Sequence, residues 1–447
     1  MMLFMFKIES LSHDGRGIAR VEGKTIFVIG ALPGEMVEAR TYKRHKHFDE
    51  AVCETASVQE LFQERVTARC PYFIDALSAC GGCSMQHLST DGQRQHKQSV
   101  LLEQLKHFGQ VEPESVSRAL FTSNAWGYRH RARLSVRWSD KKDKMYVGFR
   151  ERTSPRRITE METCDILFPN VGKNISNLRI LIASLDAKHH IPQIEVAAGD
   201  EACVLIIRHQ VPLSEHDREK LFTFGTKHGF WILLQSGSIE QLEWLLPDKP
   251  QPLFYRLPEE NLTFYFHPAH FTQINPALNH KLVQRALQLL NPQASETILD
   301  LFCGLGNFSL PLAKKAKNVV GIEGSEVMVQ QAQFNAQENH LTNTQFYSAD
   351  LSNLSFREMP WAQQKYDKIL LDPARTGALE VVHSIEQWDP KVIVYVSCNP
   401  ATLARDANIL VNQKGYILRE AGIADMFPHT SHVESIALFE KNCEKRS

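Results

Sequence analysis

The chain has 447 residues, and its 50 Lys and Arg against 51 Asp and Glu give a formal net charge of −1. This length predicts about two to four domains, and the balanced charge excludes a uniformly basic nucleic-acid-binding chain. No apolar run reaches about 18 residues, the length of a membrane span. The chain does not begin like a signal peptide and has an odd number of cysteines, nine, so we expect a soluble cytoplasmic protein with reduced thiols and no membrane association.

Residues 1–58 alternate short apolar runs with turn residues, which predicts a small β-barrel, plausibly of five strands. One outer strand and loop carry several basic residues interleaved with Tyr42 and two histidines. The basic residues are Arg40, Lys43, Arg44 and Lys46. Such a face suits RNA phosphates and stacked bases. Charges of this kind also protect an edge strand from aggregation, and the pattern alone leaves both interpretations open.

A cysteine-rich, loop-like stretch follows between Cys70 and His87. Cys80 and Cys83 are separated by two glycines, and Cys70 and Cys164 complete a set of four thiols. The spacing fits zinc as readily as an iron-sulfur cluster. Apolar residues at helical spacing then predict a helix at about residues 93–123, which we expect to pack on the last domain.

Residues 126–157 form a basic segment with eleven Lys and Arg against three Asp and Glu. The basic residues are Arg129, Arg131, Arg133, Arg137, Lys141, Lys142, Lys144, Arg150, Arg152, Arg156 and Arg157. On a strand, Arg129, Arg131 and Arg133 would project from one face. With Trp126 and Trp138 nearby, this predicts an RNA-binding face rather than merely solvated surface. We assign residues 59–270 to a central α+β domain.

The last third, residues 271–447, alternates helices and strands in the manner of a doubly wound α/β sheet. A glycine-rich turn at Gly304 and Gly306 follows the strand ILDLF, and three later strands end in acids. Those acids are Glu323, Asp350 and Asp372. Dinucleotide-binding folds share this layout. The missing third glycine favours S-adenosylmethionine, and the segment VESIALFEK predicts a reversed last strand in a mixed seven-stranded sheet.

Two reactive side chains stand at predicted strand ends. Cys398 ends the strand KVIVYVS, where doubly wound sheets bind ligands, and Glu434 begins the last strand. A lone cysteine is most often buried packing, and a lone glutamate is most often surface. A thiol and a carboxylate together can supply a nucleophile and a general base.

The motifs DLFCGLGNF, LDPAR, SCNPATLARD and FPHTSHVES resemble those of the RNA uracil C5-methyltransferases, and the N-terminal barrel resembles a TRAM domain. The resemblance runs nearly end to end. It implies Cys398 as the nucleophile that adds to uracil C6 and Glu434 as the base that removes the C5 proton. It also implies a set of residues contacting S-adenosylmethionine. They are Gln273, Phe302, Asn307, Glu323, Asp350 and Asp372.

The same resemblance favours a 4Fe-4S cluster, because CGGCSMQH followed by a distant cysteine is the family's cluster pattern. Its ligands would be Cys70, Cys80, Cys83 and Cys164. The separation of Cys70 from Cys80 is longer than usual in the family, and we expect residues 73–79 to loop away from the metal. Members that have both the barrel and the cluster act on 23S ribosomal RNA.

The resemblance therefore implies as substrate a uridine of 23S ribosomal RNA, expected at position 1939, with no obligate protein partner. Another ribosomal RNA uridine or a transfer RNA uridine is the alternative within the class. A non-catalytic RNA-binding or assembly factor is the alternative outside it. Intact Cys398, Glu434 and Asp372 argue against that second alternative.

Overall fold

The computed structural model describes residues 3–54, 58–73, 78–237 and 241–442. Contacts divide the chain into two compact units. The first comprises Met1–Gln95, Asn124–Gln251 and Phe427–Ser431, and the second comprises His96–Ser123, Pro252–Met426 and His432–Ser447. This division falls at other positions than the domain boundaries we expect from sequence, which remain predictions. None of the described helices is both long and apolar enough to cross a membrane.

The first unit begins with a six-stranded sheet, one strand more than expected. Its strands are β1 (Leu3–Lys7), β2 (Ser10–Leu11), β3 (Gly17–Val21), β4 (Lys24–Ile29), β5 (Met36–Arg44) and β6 (Phe48–Cys53). Their order is β1-β5-β6-β4-β3-β2. Alternate apolar residues such as Val28, Val37 and Ala39 are fully buried and form its core. The additional strand, β2, has only two residues and so carries no detectable alternation.

Helix α1 (Thr90–His107) follows the cysteine-rich stretch and is shorter than the helix predicted at residues 93–123. It ends before Gly109, and strand β7 (Ser115–Val116) occupies part of the remaining segment. From His96 onward the helix belongs to the second unit, where Leu101 and Leu105 are fully buried. In the same unit, the Lys97 ammonium lies 2.6 Å from the Asp425 carboxylate, with both side chains almost completely buried.

A second sheet, together with three helices, completes the first unit. Its strands are β8 (Arg131–Ser139), β9 (Lys144–Gly148), β10 (Gln193–Ala198), β11 (Cys203–Arg208), β12 (Trp231–Gln235) and β13 (Leu242–Leu246). Their order is β13-β12-β11-β10-β8-β9. The helices are α2 (Pro169–Lys173), α3 (Ile175–Ser184) and α4 (Glu215–His228). Apolar residues of α3 and the sheet share one core, as expected for an α+β region.

The second unit contains the hairpin of β14 (Leu253–Leu257) and β15 (Leu262–Phe266) and a larger sheet. The strands of the larger sheet are β16 (Thr297–Leu301), β17 (Asn318–Glu323), β18 (Thr344–Ser348), β19 (Lys368–Leu371), β20 (Val392–Ser397), β21 (Tyr416–Ala424) and β22 (Glu434–Lys441), together with β7. Their order is β18-β17-β16-β19-β20-β22-β21-β7. The helices are α5 (Pro276–Leu290), α6 (Ser309–Ala313), α7 (Glu326–Glu338), α8 (Leu379–Trp388) and α9 (Pro400–Asn412).

This sheet confirms the predicted α/β fold class. Strands β16 to β20 pair in parallel, and β22 is antiparallel to both of its neighbours, β20 and β21, as predicted for the reversed last strand. The sheet has eight strands rather than seven because the two-residue strand β7 adds to β21. The carboxyl ends of the five parallel strands therefore lie at one edge, where such sheets bind ligands.

Candidate active site

The pairing of β20 with β22 positions the two predicted reactive residues. Its last registered pair is Ser397 with Ser435, so Cys398 and Glu434 are the next pair beyond it. The Ser435 hydroxyl also donates to the Ser397 carbonyl at 3.1 Å. Cys398 is half-buried, whereas Glu434 is only 6% exposed. The structure thus brings the thiol and the carboxylate together at the ligand-binding edge.

The glycine-rich turn after β16 has the left-handed backbone that its glycines favour. Gly304 has a φ of 56° and Gly306 a φ of 92°, and even Phe302 has a φ of 66°. Few non-glycine residues adopt such an angle, so its presence at Phe302 indicates a position held by its surroundings. The Gly304 amide donates to a Glu323 carboxylate oxygen at 3.1 Å. This bond joins the turn to the end of β17.

Asn307 is fixed by partners that the sequence gives no reason to pair with it. Its side-chain oxygen accepts from the Tyr255 hydroxyl at 2.9 Å and from the Asn279 amide at 2.8 Å, and its own amide donates back to Asn279 at 3.0 Å. Asn279 lies on α5, which begins three residues after the half-buried Gln273. The predicted donor contacts Gln273 and Asn307 therefore lie on two segments, and the hydrogen bonds between Asn279 and Asn307 connect these segments.

Asp350 and Asp372 follow two strands of the same sheet and differ in environment. Asp350 is exposed beyond β18, and hydrogen bonds from the Ser352 hydroxyl and amide hold the pKa of its carboxyl below the usual value. Asp372 follows β19, and burial raises its pKa to about 7. The two acids suit different tasks. Asp350 is readily ionised and can accept hydrogen bonds, whereas burial disfavours the ionised form of Asp372 unless a positive charge lies nearby.

Negative groups crowd the edge near Cys398. Burial, and then the charge of Asp372, raise the pKa of Glu434 to about 8. Burial, and then the charges of Glu434 and Asp372, raise the pKa of the Cys398 thiol to about 11. Under the glycine-rich turn, burial raises the pKa of Asp300 to about 8, although Ser309 donates to one of its oxygens. Its other oxygen is buried without a hydrogen-bond partner. A cationic ligand would relieve this accumulation of acids.

Two loops at this edge are tied to each other. The Asn399 amide donates to the Arg375 carbonyl at 3.0 Å, and Thr402 donates to the same carbonyl at 3.4 Å. The Arg375 guanidinium lies 2.9 Å from the His432 imidazole. The positive charge of Arg375 also lowers the pKa of both Cys398 and Glu434. The LDPAR segment therefore supplies positive charge near Cys398 and Glu434.

The four cysteines of the predicted metal site line a single cavity in the first unit, together with Phe73 and Phe149. Burial raises the pKa of Cys83 and of Cys164 to about 12 and also raises the pKa of Cys70 and Cys80. In the described part of the chain, no group of three or more His, Cys, Asp or Glu side chains is arranged to hold a metal ion. Residues 74–77 of the expected loop lie outside the described residues.

The basic residues predicted to bind RNA differ in availability. In the first sheet, Arg40 pairs with Glu54 at 2.7 Å and Lys43 with Glu50 at 3.5 Å. These carboxylates neutralise part of the predicted basic face. On β8, Arg133 is 76% exposed, while its neighbours Ala132 and Leu134 are buried, as the predicted alternation requires.

Arg129 lies before β8, and its guanidinium lies 5.2 Å from the centre of the Phe149 ring. The prediction that it belongs to the same strand as Arg131 and Arg133 is therefore wrong.

The larger sheet, with its reversed strand, glycine-rich turn and acid-terminated strands, defines an S-adenosylmethionine-dependent methyltransferase. The family described as tRNA (Uracil-5-)-methyltransferase matches residues 89–442, and the TRAM domain matches residues 6–49. The chain belongs to this uracil C5-methyltransferase family and carries a TRAM domain at its N-terminal end.

Individual relatives agree with this assignment. The 23S rRNA (uracil(1939)-C(5))-methyltransferase RlmD of Legionella pneumophila (strain Corby) is 49% identical over 437 residues, which cover 97% of this chain and 96% of the relative. RlmD of Xanthomonas axonopodis pv. citri (strain 306) is 48% identical over 98% of this chain and 97% of its own. The crystal structure of Pyrococcus abyssi tRNA (uracil-54, C5)-methyltransferase in complex with S-adenosyl-L-homocysteine is similar with a TM-score of 0.72 and 25% identity, covering 98% of this chain and 100% of that one.

The raised pKa values of Asp372 and Glu434 predict a pH-dependent preference for the methyl donor over its product. Both carboxyls ionise as the pH rises through about 7 to 8, and only the donor carries a sulfonium charge. We expect the ratio of S-adenosylmethionine affinity to S-adenosylhomocysteine affinity to rise by about tenfold between about pH 6 and about pH 9. Calorimetric titration of both ligands measures it. An unchanging ratio would contradict this electrostatic account.

Proposed function

We propose that this protein transfers the methyl group of S-adenosylmethionine to C5 of a uridine in 23S ribosomal RNA, at the position numbered 1939 in its relatives. The observation that carries the proposal is the 49% identity to RlmD over almost the whole of both chains. Its active-site counterpart is the register that makes Cys398 and Glu434 neighbours. The transfer RNA enzyme of Pyrococcus abyssi is more distant at 25% identity, so we favour the ribosomal substrate.

Cys398 begins the reaction, because uracil C5 is too weak a nucleophile to accept a methyl group directly. The Cys398 thiolate adds to C6, forming a carbon–sulfur bond and moving the ring electrons to C5 and O4. Burial and the charges of Glu434 and Asp372 raise the pKa of this thiol to about 11. A bound cationic donor would offset the charges of Asp372 and Glu434 and so ease its ionisation, and Arg375 acts in the same direction.

Glu434 completes the reaction. When bound, the donor supplies an electrophilic methyl group; C5 takes this group, and the sulfonium becomes a neutral thioether. C5 then carries both a methyl group and a proton. The Glu434 carboxylate removes that proton, the C5–C6 double bond re-forms, and the bond from C6 to Cys398 breaks to return the thiolate. A base with a pKa of about 8 holds the proton well enough to take it and loosely enough to release it.

Six residues are proposed to hold the donor. Glu323 would accept hydrogen bonds from the ribose hydroxyls and Asp350 from the adenine amino group, as strand-end acids do in doubly wound folds. Asp372 would face the cationic end of the donor. The remaining contacts would come from Gln273, Phe302 and Asn307. The bonds from Tyr255 and Asn279 to Asn307 support this role, because they fix Asn307 beside the glycine-rich turn.

We also propose that Cys70, Cys80, Cys83 and Cys164 hold a 4Fe-4S cluster. Their placement around one cavity supports this. A single zinc ion binds each of its sulfur ligands at about 2.3 Å from the metal, so all the sulfur atoms must surround one point. In a four-iron cluster each cysteine binds a different iron atom, so the sulfur atoms of the cysteines lie farther apart. A cluster would link the 80–83 loop to Cys164. Its role would be structural, because methyl transfer involves no net electron exchange.

We propose that the TRAM domain and the exposed arginines of β8 bind RNA. The protein would act in the cytoplasm, where ribosomes are assembled. Arg133 is the most suitable of these arginines, because its side chain is 76% exposed. Glu195 lies 3.4 Å from it and leaves much of its guanidinium accessible. The target base would have to leave its stack to reach both Cys398 and the methyl donor.

Loss of the protein from cells should remove the methyl group at the proposed ribosomal position. Mapping of modified uridines in 23S ribosomal RNA measures this. A plasmid copy of the wild-type gene should restore the methyl group, and a Cys398→Ala copy should not, although the purified variant should still bind RNA. Loss of methyluridine from transfer RNA instead would redirect the proposal to that substrate. Normal turnover by Cys398→Ala would exclude the nucleophile.

Glu434→Gln should trap the protein covalently on its RNA. Addition and methyl transfer need no carboxylate, while removal of the C5 proton does, so the adduct should accumulate. A band of retarded mobility that survives denaturation measures it. Cys398→Ala/Glu434→Gln is the matched control, since without the thiol no adduct can form. Absence of the adduct in the single variant would count against Glu434 as the base.

Protein purified without oxygen should contain about four iron and about four sulfide ions per chain, the composition of the proposed cluster. Cys164→Ser should lose most of this iron and its visible absorption, and its thermal unfolding midpoint should fall. Cys203→Ala is the control, because Cys203 is buried in β11 outside the cysteine cavity. Stoichiometric zinc in place of iron would contradict the cluster.

A further inference from the structure

After Gln251 the chain returns to the first unit for only five residues, Phe427–Ser431. Glu434 is only three positions after Ser431, a distance of at most about 11 Å along an extended chain. The backbone of this segment is fixed at successive positions by the first unit. Small displacements there would be passed to the proposed base through a very short piece of chain.

His429 is the best-held residue of this segment. Its carbonyl accepts hydrogen bonds from the Ser84 and Met85 amides, both at 2.9 Å, and its amide donates to the Gln93 side-chain oxygen at 2.7 Å. Its ring stacks on Trp126 with the ring centres 3.9 Å apart. It also has a left-handed φ of 66°. Few non-glycine residues adopt such an angle, so the partners of His429 hold it in this conformation.

The neighbours of His429 are held in the same way. The Tyr128 hydroxyl donates to the Pro428 carbonyl at 3.0 Å, and the Ser431 amide donates to the Ser84 hydroxyl at 2.9 Å. Backbone groups of three of the five residues are thus fixed by one set of partners. We call this set the clamp: Ser84, Met85, Gln93 and Tyr128.

Gln93 is the central residue of the clamp. It is 1% exposed, and its amide nitrogen donates to the Met85 carbonyl at 3.0 Å and to the Leu88 carbonyl at 2.8 Å. The same nitrogen lies 3.3 Å from the His429 Nδ1. The nitrogen of the buried Gln93 amide thus binds the loop after Cys83, and its oxygen binds the segment before Glu434. A buried amide with all its polar atoms engaged defines a position more strictly than apolar packing does.

We propose that Gln93, acting through His429, is a positioning residue for the general base Glu434. It touches neither substrate nor donor; it fixes the path by which the chain reaches β22. This inference rests on the proposed role of Glu434. A base must stay within hydrogen-bond reach of the proton that it removes, and a displacement of about 1 Å can cost about a hundredfold in rate. Loss of the clamp should therefore impair proton removal more than thiol addition.

Gln93→Leu tests the proposal, because leucine keeps the approximate volume of glutamine and loses every hydrogen bond. In a single turnover with wild-type RNA, formation of the covalent adduct should stay within about threefold of the wild-type rate. Its breakdown should slow by about tenfold to about a hundredfold. RNA carrying 5-deuterated uridine should then show a larger isotope effect on breakdown than with the wild-type protein. Gln95→Leu, an exposed position on the same helix, is the matched control and should behave as wild type.

The outcomes separate this inference from the proposed function. If Glu434→Gln traps the adduct while Gln93→Leu resolves it at the wild-type rate with an unchanged isotope effect, the clamp has no positioning role. A Gln93→Leu protein that loses addition and breakdown equally would also overturn it, since that result indicates general destabilisation. Should Gln93→Leu not fold, Ser84→Ala removes only the bond to Ser431 and should give the same selective slowing in weaker form. If Glu434→Gln forms no adduct, the base assignment fails first.

Discussion

The backbone pairing of β20 with β22 is the interaction on which the candidate active site depends. Parallel strands alone would place Cys398 at the ligand-binding edge and leave the end of the chain elsewhere. The reversed strand begins at that edge, so its first residue, Glu434, lies beside Cys398, which directly follows β20. The register is strict because both strands are buried, and a slip of one residue would turn each side chain to the opposite face. Two residues from separate motifs thus become neighbours.

Burial raises the pKa values of the acids at this edge, and the acids would be stabilised in their ionised form by a nearby positive charge. The edge gathers Asp300, Asp372 and Glu434, and burial raises the pKa of each of them. Arg375 is too exposed to balance all three. A cationic methyl donor fits such a site, and it leaves as a neutral product. If these acids hold the cationic donor as proposed, they would hold the neutral product less strongly and so favour its release after transfer.

The sequence predicted the parts of the molecule that local signals encode. Strand ends followed by glycines, acids or a cysteine identified the α/β fold, the reversed strand and the residues at its edge. Features made by distant segments were not predictable. Lys97 and Asp425 are 328 positions apart, and Tyr255 reaches Asn307 from a separate hairpin. The two-residue strands β2 and β7 are too short for a periodic pattern. Arg40 and Lys43 looked available in the sequence, which does not reveal that acids lie beside them.

The brief return of the chain to the first unit has a consequence for its synthesis. That unit is otherwise complete at Gln251, yet it lacks Phe427–Ser431 until almost the whole chain has been made. At about 5 to 20 residues per second, the delay is on the order of ten to forty seconds. During that time Gln93, Ser84 and Tyr128 have no His429 segment to hold. The residues that line the cysteine cavity are therefore made well before β22, and a chain that ended prematurely would lack Glu434, the proposed base.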